Sequence, residues 1–201
     1  PNQVYIGNKK PEELNDIATP WFENPVQGTR EGRFGEIMPQ DEFIGMLKIA
    51  DSFDLVKLTA DFSKAVVEKL KAHELFSDAE LEKFKDSEEI DSIKTFVNEH
   101  HAEGLYHMGE LVGCVKRAHE VDNSLTAHIM FENLVVKASG VLAVKHLMKN
   151  SSVKADEIEY VIECSEEACG DMNQRGGGNF AKSIAEACSF TNATGSDTRG
   201  F

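Results

Sequence analysis

The sequence predicts an α/β protein in which a mainly α-helical region with a β-hairpin precedes strand–helix–strand layers. Apolar residues recur at three- and four-residue steps through residues 40–101, as on one side of an amphipathic helix. Two short apolar runs then flank Met108-Gly109-Glu110, a pattern typical of a β-hairpin. The last third runs helix, short loop, strand, helix, strand, which is the βαβ rhythm of a mostly parallel sheet.

Three regions are predicted along the chain. Residues 1–40 contain all five prolines, and because proline removes a backbone donor and disfavours helix upstream of it, this region is predicted to be an extended arm. Trp21 and Phe22 are the expected anchors of the arm, since aromatic side chains bury the most area. Residues 41–120 are predicted to form the α-rich region with the hairpin, and residues 121–201 the α/β domain.

The α-rich region is predicted to contain four helices. The apolar spacing indicates helices over residues 39–52, 59–73 and 88–101. Ser77-Asp78-Ala79-Glu80 has the Ser-x-x-Glu form of a capping box and predicts the start of a further short helix.

The α/β domain is predicted to begin with one long helix. Residues 124–150 are apolar on more than one side, as in a buried helix. A short strand is expected over residues 158–162 and a helix over residues 178–187. Residues 192–201, with the sequence NATGSDTRGF, are predicted to form a small polar loop.

Composition excludes several classes of function. The formal net charge is −14, whereas nucleic acids and anionic membranes are bound by basic surfaces. Because no run of about 18 apolar residues is apparent, no membrane span is predicted. There is no signal-peptide core, and four cysteines are too few for a disulfide scaffold. A cytoplasmic, reducing compartment is therefore expected.

Ionisable and thiol side chains cluster directly after the predicted strand, in ECSEEACGD. The crevice outside the carboxyl ends of strands is where α/β sheets bind ligands. Glu166 is the candidate general acid or base, its pKa raised by burial beside another carboxylate. The alternative is a solvated turn.

Cys164 and Cys169 offer two interpretations. They are either small buried apolar residues or thiols with a redox role. No second Cys or His pair follows at zinc-like spacing, so neither a metal site nor a cofactor is predicted.

Arg175-Gly176-Gly177-Gly178 precedes the last predicted helix. Glycines let backbone N–H groups approach a ligand, the helix N-terminus favours an anion, and a guanidinium suits phosphate. This segment is the candidate phosphate site, or else a structural tight turn. Asp197 and Arg199 form an acid–base pair in the final loop, which suits the approach of a nucleophile. That loop can equally be an ordinary surface loop.

Long strings of the chain resemble the β subunits of component C of the glycine/sarcosine/betaine reductase complex. They include PNQVYIGNKKPEELND, FGEIMPQDEF, VNEHHAEGLYHMGELVGCVKRAH and ECSEEACGDMNQRGGGNFAKSIAE. These subunits are similar to thiolases and β-ketoacyl synthase III, so the resemblance implies a partial thiolase-like fold. It also implies that a cysteine nucleophile follows the DTRGF string and that this chain is an internal fragment.

The resemblance implies a function as well. The parent takes part in converting the carboxymethyl group of a selenoprotein, component A, to an acetyl thioester and then, with phosphate, to acetyl phosphate. The implied site comprises Glu166, Cys164 and Asp197 as catalytic residues, with Arg175, Gly176–Gly178 and Arg199 binding phosphate or substrate. The α subunit of component C is an implied partner and carries the acetyl-bearing cysteine.

Two alternatives remain open from the sequence. The chain can be a non-catalytic scaffold for the α subunit, or a condensing enzyme that acts on acyl-CoA or an acyl carrier. Because open sheet edges invite pairing with a second copy, a homodimer or larger assembly is expected.

Overall fold

The computed structural model describes residue 30 and residues 36–164 and 180–198. The chain divides into two compact units, residues 1–38 and residues 39–201. In the first unit, Arg30 and Glu36 form an ion pair with an N–O distance of 3.1 Å. The predicted arm anchors Trp21 and Phe22 lie outside the described residues.

Four helices open the second unit, and the sequence predicted all of them. They are α1 (Gln40–Ala50), α2 (Ala60–His73), α3 (Asp78–Leu81) and α4 (Ile90–Glu99). The capping box is confirmed, because the Ser77 hydroxyl accepts from the Glu80 N–H and the Glu80 carboxylate accepts from the Ser77 N–H. These reciprocal bonds satisfy two donors that a helix start otherwise leaves unpaired.

The predicted hairpin belongs to a three-stranded antiparallel sheet. Strands β2 (Glu103–His107) and β3 (Glu110–Val115) pair, and Met108 and Gly109 between them have φ angles of 51° and 85°. Two positive φ angles are typical of the tight turns that close two-residue hairpins. The sequence did not predict β1 (Val56–Leu58), which pairs with β3. Three residues between two helices are too short to show a strand period.

The long helix α5 (Ala127–Lys149) packs against α1 and against the last helix. Among the described residues, it is the one helix that is long and apolar enough, by length and composition alone, to cross a membrane. However, 44% of its most apolar window is buried inside the protein. Its buried residues include Asn133, Lys137 and His146. Polar groups packed against other elements are typical of a core helix in a soluble protein.

A strand–helix–strand unit completes the fold. Strand β4 (Tyr160–Cys164) and strand β5 (Thr194–Thr198) pair in parallel, and α6 (Phe180–Ala187) lies between them in the chain. The predicted parallel βαβ unit is therefore confirmed, and the mixed architecture agrees with the predicted α/β class. The prediction of a loop over residues 192–201 was wrong for the five residues of β5. Gly, Ser and Asp disfavour strands, so pairing with β4 decided the conformation.

One face of this parallel pair is covered by helices. Val161 and Ile158 pack with buried Ala185, Phe190 and Ala193, and Val144 of α5 joins the same cluster. On the opposite face, Tyr160 and Ile162 are 54% and 63% exposed. The apolar cluster of the parallel β4–β5 pair therefore lies on the face that α5 and α6 cover.

Candidate functional site

The carboxyl end of β4 is the described part of the predicted site. Cys164, the last residue of the strand, is exposed and stands in register with Thr198 of β5. Its neighbour Glu163 stands in register with Asp197, and the Glu163 carbonyl accepts a hydrogen bond from the Thr198 hydroxyl at 3.3 Å. The interpretation of Cys164 as a small buried apolar residue is therefore wrong. An accessible thiol stands where parallel sheets present their ligand sites.

Asp197 holds the start of α6. One carboxylate oxygen accepts from the Phe180 N–H and the other from the Ala181 N–H, both at 2.7 Å. A carboxylate at this position satisfies two unpaired donors and complements the positive end of the helix dipole. The sequence predicts that the N-terminus of this helix favours an external anion. The Asp197 carboxylate instead occupies the amides of Phe180 and Ala181.

Gly195 lets α6 approach β5 closely enough for this contact. A Cβ atom at Gly195 would collide with the backbone nitrogen of Lys182 and the carbonyl carbon of Ala181. The helix start thus lies directly on the strand that carries Asp197, two residues further along the same face.

Cys164 and Asp197, which were assigned together to one catalytic set, lie on opposite faces of the sheet. Successive side chains of a strand alternate between faces, and Asp197 shares its face with its register partner Glu163. That face packs against α6, whereas Tyr160, Ile162 and Cys164 are exposed on the other. The two residues therefore do not approach one another across the strands.

Two further thiols are inert by environment. Burial raises the pKa of Cys114 to about 11 and the pKa of Cys188 to about 11. A thiol is nucleophilic as its thiolate, so these two stay protonated at neutral pH. Cys114 is the small buried residue that free cysteines commonly are, and Cys188 is half-buried. Among the described cysteines, Cys164 is the exposed one.

The remaining predicted site residues lie outside the described residues. They are Glu166, Cys169, Arg175, Gly176, Gly177, Gly178 and Arg199. Their assignments as acid/base, thiol and phosphate-binding groups stay predictions. The described framework supplies two fixed ends for this segment, the end of β4 at Cys164 and the start of α6 at Phe180.

Sequence reasoning missed a buried cation on α5. Lys137 is 6% exposed, and its Nζ donates to the Ser52 hydroxyl at 2.7 Å. It borders a cavity of about 30 Å³ between the segment after α1, α5 and α6. The available signal was a lysine within the apolar run Val135-Val136-Lys137-Ala138.

Comparison with known proteins places this geometry in context. No protein-family model matches the chain, and no solved structure matches it significantly. The thiolase-like fold therefore stays a prediction. A curated relative from Peptoclostridium acidaminophilum, "Glycine/sarcosine/betaine reductase complex component C subunit beta", is 53% identical over 204 aligned residues.

The alignment covers 100% of this chain and 40% of the relative. The resemblance inferred from the sequence strings is thereby confirmed. Over its whole length, the chain is similar to the β subunit of component C of the glycine/sarcosine/betaine reductase complex, of which it spans about 40%.

Proposed function

We propose that this chain is part of a subunit of component C of a glycine/sarcosine/betaine reductase complex. The observation that carries this proposal is 53% identity to the curated β subunit over 100% of this chain. In this role the subunit takes part in converting a selenoprotein-bound carboxymethyl group to an acetyl thioester, and then to acetyl phosphate. The setting is cytoplasmic.

The proposed sequence balances as two steps. The carboxymethyl selenide of component A and a thiol of that protein become a selenide–sulfide, so selenium and sulfur are oxidised while the CH₂ carbon is reduced to CH₃. The carboxylate meanwhile condenses with a thiol of component C, taking up one proton and releasing water. In the second step a phosphate oxygen attacks the thioester carbonyl, the C–S bond breaks, and the thiol regains its proton.

Within this proposal the residues have four roles. Glu166 is the acid/base group, and Arg175 with its three glycines binds phosphate together with Arg199. Cys164 is the thiol available at the strand end. Asp197 is a positioning residue, since both of its oxygens are bound to the first amides of α6. It acts by holding the helix that follows the phosphate-binding segment.

The test is acetyl phosphate chemistry in assembled component C. We would measure arsenate-dependent hydrolysis of acetyl phosphate with the full-length subunit bound to the α subunit, comparing Glu166→Gln and Arg175→Ala with wild type. Removal of a general acid or base lowers turnover about 100-fold or more. Glu120→Gln and Arg117→Ala, which change the same residue types outside the site, are the matched controls and should keep activity.

A scaffold role is the second candidate, and one observation favours it. The Asp197 carboxylate is fully used in capping α6, as a purely structural residue would be. Unchanged hydrolysis by both site variants in an intact complex would select the scaffold. A condensing enzyme would in addition bind CoA, so titration of the full-length subunit with CoA separates that class.

The proposed partners are the α subunit, the selenoprotein component A and a second copy of the subunit. Parallel sheets are generally covered on both faces, yet Tyr160 and Ile162 are exposed on one face of the β4–β5 pair. Further protein is therefore expected on this face. A monodisperse 22.3 kDa species from this chain in solution would contradict self-association.

A further inference from the structure

Lys137 places a positive charge in the interior of the protein. Helix α5 turns this side chain toward the segment that follows α1, where its Nζ lies 2.7 Å from the Ser52 hydroxyl oxygen. The residue is 6% exposed. An ammonium group removed from water is costly unless an opposite charge compensates it.

Among the described residues, no carboxylate oxygen lies within 4.0 Å of Lys137 Nζ, although Asp51 lines the same cavity. The Asp51 carboxylate is nearby but already accepts from the Phe53 N–H at 2.9 Å and the Val56 N–H at 2.8 Å. Burial, and then repulsion from Lys83, lower the pKa of Lys137 to about 8, while Asp51 and Glu186 oppose the shift.

Lys83 adds to the positive potential rather than relieving it. Its Nζ donates to the Ile49 carbonyl at 2.6 Å and the Asp51 carbonyl at 2.8 Å. Burial lowers the pKa of Lys83 as well. Since a pKa near 8 leaves Lys137 mainly protonated at pH 7, its positive charge persists at neutral pH, and the attraction of Asp51 and Glu186 offsets it in part.

A small cavity opens beside this charge. Its volume is about 30 Å³, and its polar lining includes Asp51, Ser52, Asn133 and Ser183 besides Lys137, while Phe53 and Phe180 form apolar walls. One water needs roughly 10–15 Å³ on the same measure, so the cavity holds about two water-sized groups. That matches the two oxygens of a carboxylate and is too small for the four oxygens of phosphate. Phe53 is 74% exposed, and a short apolar substituent can lie against it.

We propose that this cavity binds the carboxylate group of a small monocarboxylate, with Lys137 as its counter-charge and the Ser52 and Ser183 hydroxyls as neighbouring polar groups. The described residues that line the cavity come from the segment after α1, from α5 and from α6, and none of them lies on β4. The proposal does not depend on the reductase function, and its test does not measure that activity.

The test is protection of Lys137 from a small amine reagent. We would carbamylate the full-length subunit with cyanate at pH 8 and follow each lysine by peptide mass spectrometry, with and without 50 mM acetate at constant ionic strength. A ligand of four heavy atoms binds weakly, so a dissociation constant on the order of 5 mM is expected. Acetate should therefore slow carbamylation of Lys137 about tenfold.

Lys149 of the same helix is the internal control, because its side chain is 44% exposed and its rate should not change. An unchanged rate at Lys137, an equal decrease at Lys149, or no carbamylation of Lys137 even at pH 9 would overturn the proposal. Equal protection by phosphate or chloride would overturn the carboxylate assignment.

A second measurement uses variants. Acetate should raise the melting temperature of wild type and of Lys149→Met above that of the matched chloride sample, but not that of Lys137→Met. If Lys137→Met does not fold, the wild-type protection experiment decides alone.

Discussion

Helix α5 carries two lysines eight residues apart, Lys137 and Lys145, and each side chain has little exposed surface. The groups that neighbour their ammonium groups differ. Lys145 Nζ lies 2.6 Å from a Glu80 carboxylate oxygen, and these side chains are 13% and 20% exposed. The Lys137 ammonium meets the Ser52 hydroxyl and a small cavity. An ion pair compensates the first charge, whereas the second remains available to a ligand. Burial alone thus does not tell a structural lysine from a binding group; the partner does.

Both lysines lie on α5, but they contact different segments of the chain. Glu80 is also the capping-box residue of α3, so the Lys145 pair ties the long helix to a helix start that local bonds already hold. Ser52 lies in the short segment between α1 and β1. Four measurements test how the two lysines differ.

The largest expected effect is destabilisation by Lys145→Met. This change leaves the Glu80 carboxylate partly buried without its cation, and removal of one partner from such a pair costs about 3 kcal/mol. Urea unfolding at pH 7 measures the loss. Lys149→Met removes an exposed pair with Glu74, at 3.8 Å, and should change stability by less than about 0.5 kcal/mol. Equal losses in the two variants would refute the special status of the Lys145 pair.

Lys137→Met should have the opposite sign. Methionine has nearly the same length and carries no charge, so the variant removes the desolvation cost of the ammonium. A shift from 10.5 to about 8 corresponds to roughly 3 kcal/mol at neutral pH. Loss of the Ser52 hydrogen bond offsets about 1 kcal/mol of this. Urea unfolding should therefore show stabilisation by about 2 kcal/mol, and a destabilised variant would contradict the argument.

Titration of Lys137 should make the free energy of unfolding depend on pH in the alkaline range. Between pH 8 and pH 10.5 the folded state loses the Lys137 proton while the unfolded state retains it, so this group makes stability rise with pH. The raised thiol pKa values of Cys114 and Cys188 act in the opposite direction from about pH 9 to 11. The advantage of Lys137→Met over wild type isolates the lysine, and it should shrink across pH 8–10.5. A constant difference would show that Lys137 titrates normally.

The smallest effect is expected in acid, where Glu80, the ion-pair partner of Lys145, titrates. The ion pair with Lys145 and the hydrogen bonds from Ser77 outweigh burial and lower the pKa of Glu80 below 4.5. Its stabilising contribution is complete above pH 4.5 and is lost as pH falls through the lowered value. Wild type should therefore lose more stability below pH 4.5 than the double variant Glu80→Gln/Lys145→Met. Parallel acid curves would count against the pair.

Much of the fold was predictable because its signals are local. Apolar spacing located the helices, and the positive-φ turn at Met108-Gly109 was visible as a glycine between two short runs. Strand β1 was missed, and the residues of β5 were assigned to a loop, because the conformation of both segments depends on partners elsewhere in the chain. Thr194–Thr198 has a polar, glycine-containing sequence that becomes a strand by pairing with β4.

Of the candidate site, the described residues show the position of Cys164, which lies exposed at the end of β4 as the cluster in the sequence suggested. Sequence reasoning grouped Cys164 with Asp197, although strand register puts them on opposite faces. It also left the α6 amides open to a ligand, although Asp197, seventeen residues from Phe180, occupies them.

Sequence patterns predicted the helices, the capping box, the hairpin, the strand–helix–strand order and the similarity to the component C β subunit. Each depends on residues a few positions apart or on long matching strings. Only the tertiary structure decided the role of Asp197, the exposure of Cys164 and the difference between Lys137 and Lys145. The physical reason is that burial and charge compensation depend on side chains brought together from distant positions, such as Ser52 and Lys137, which lie 85 residues apart.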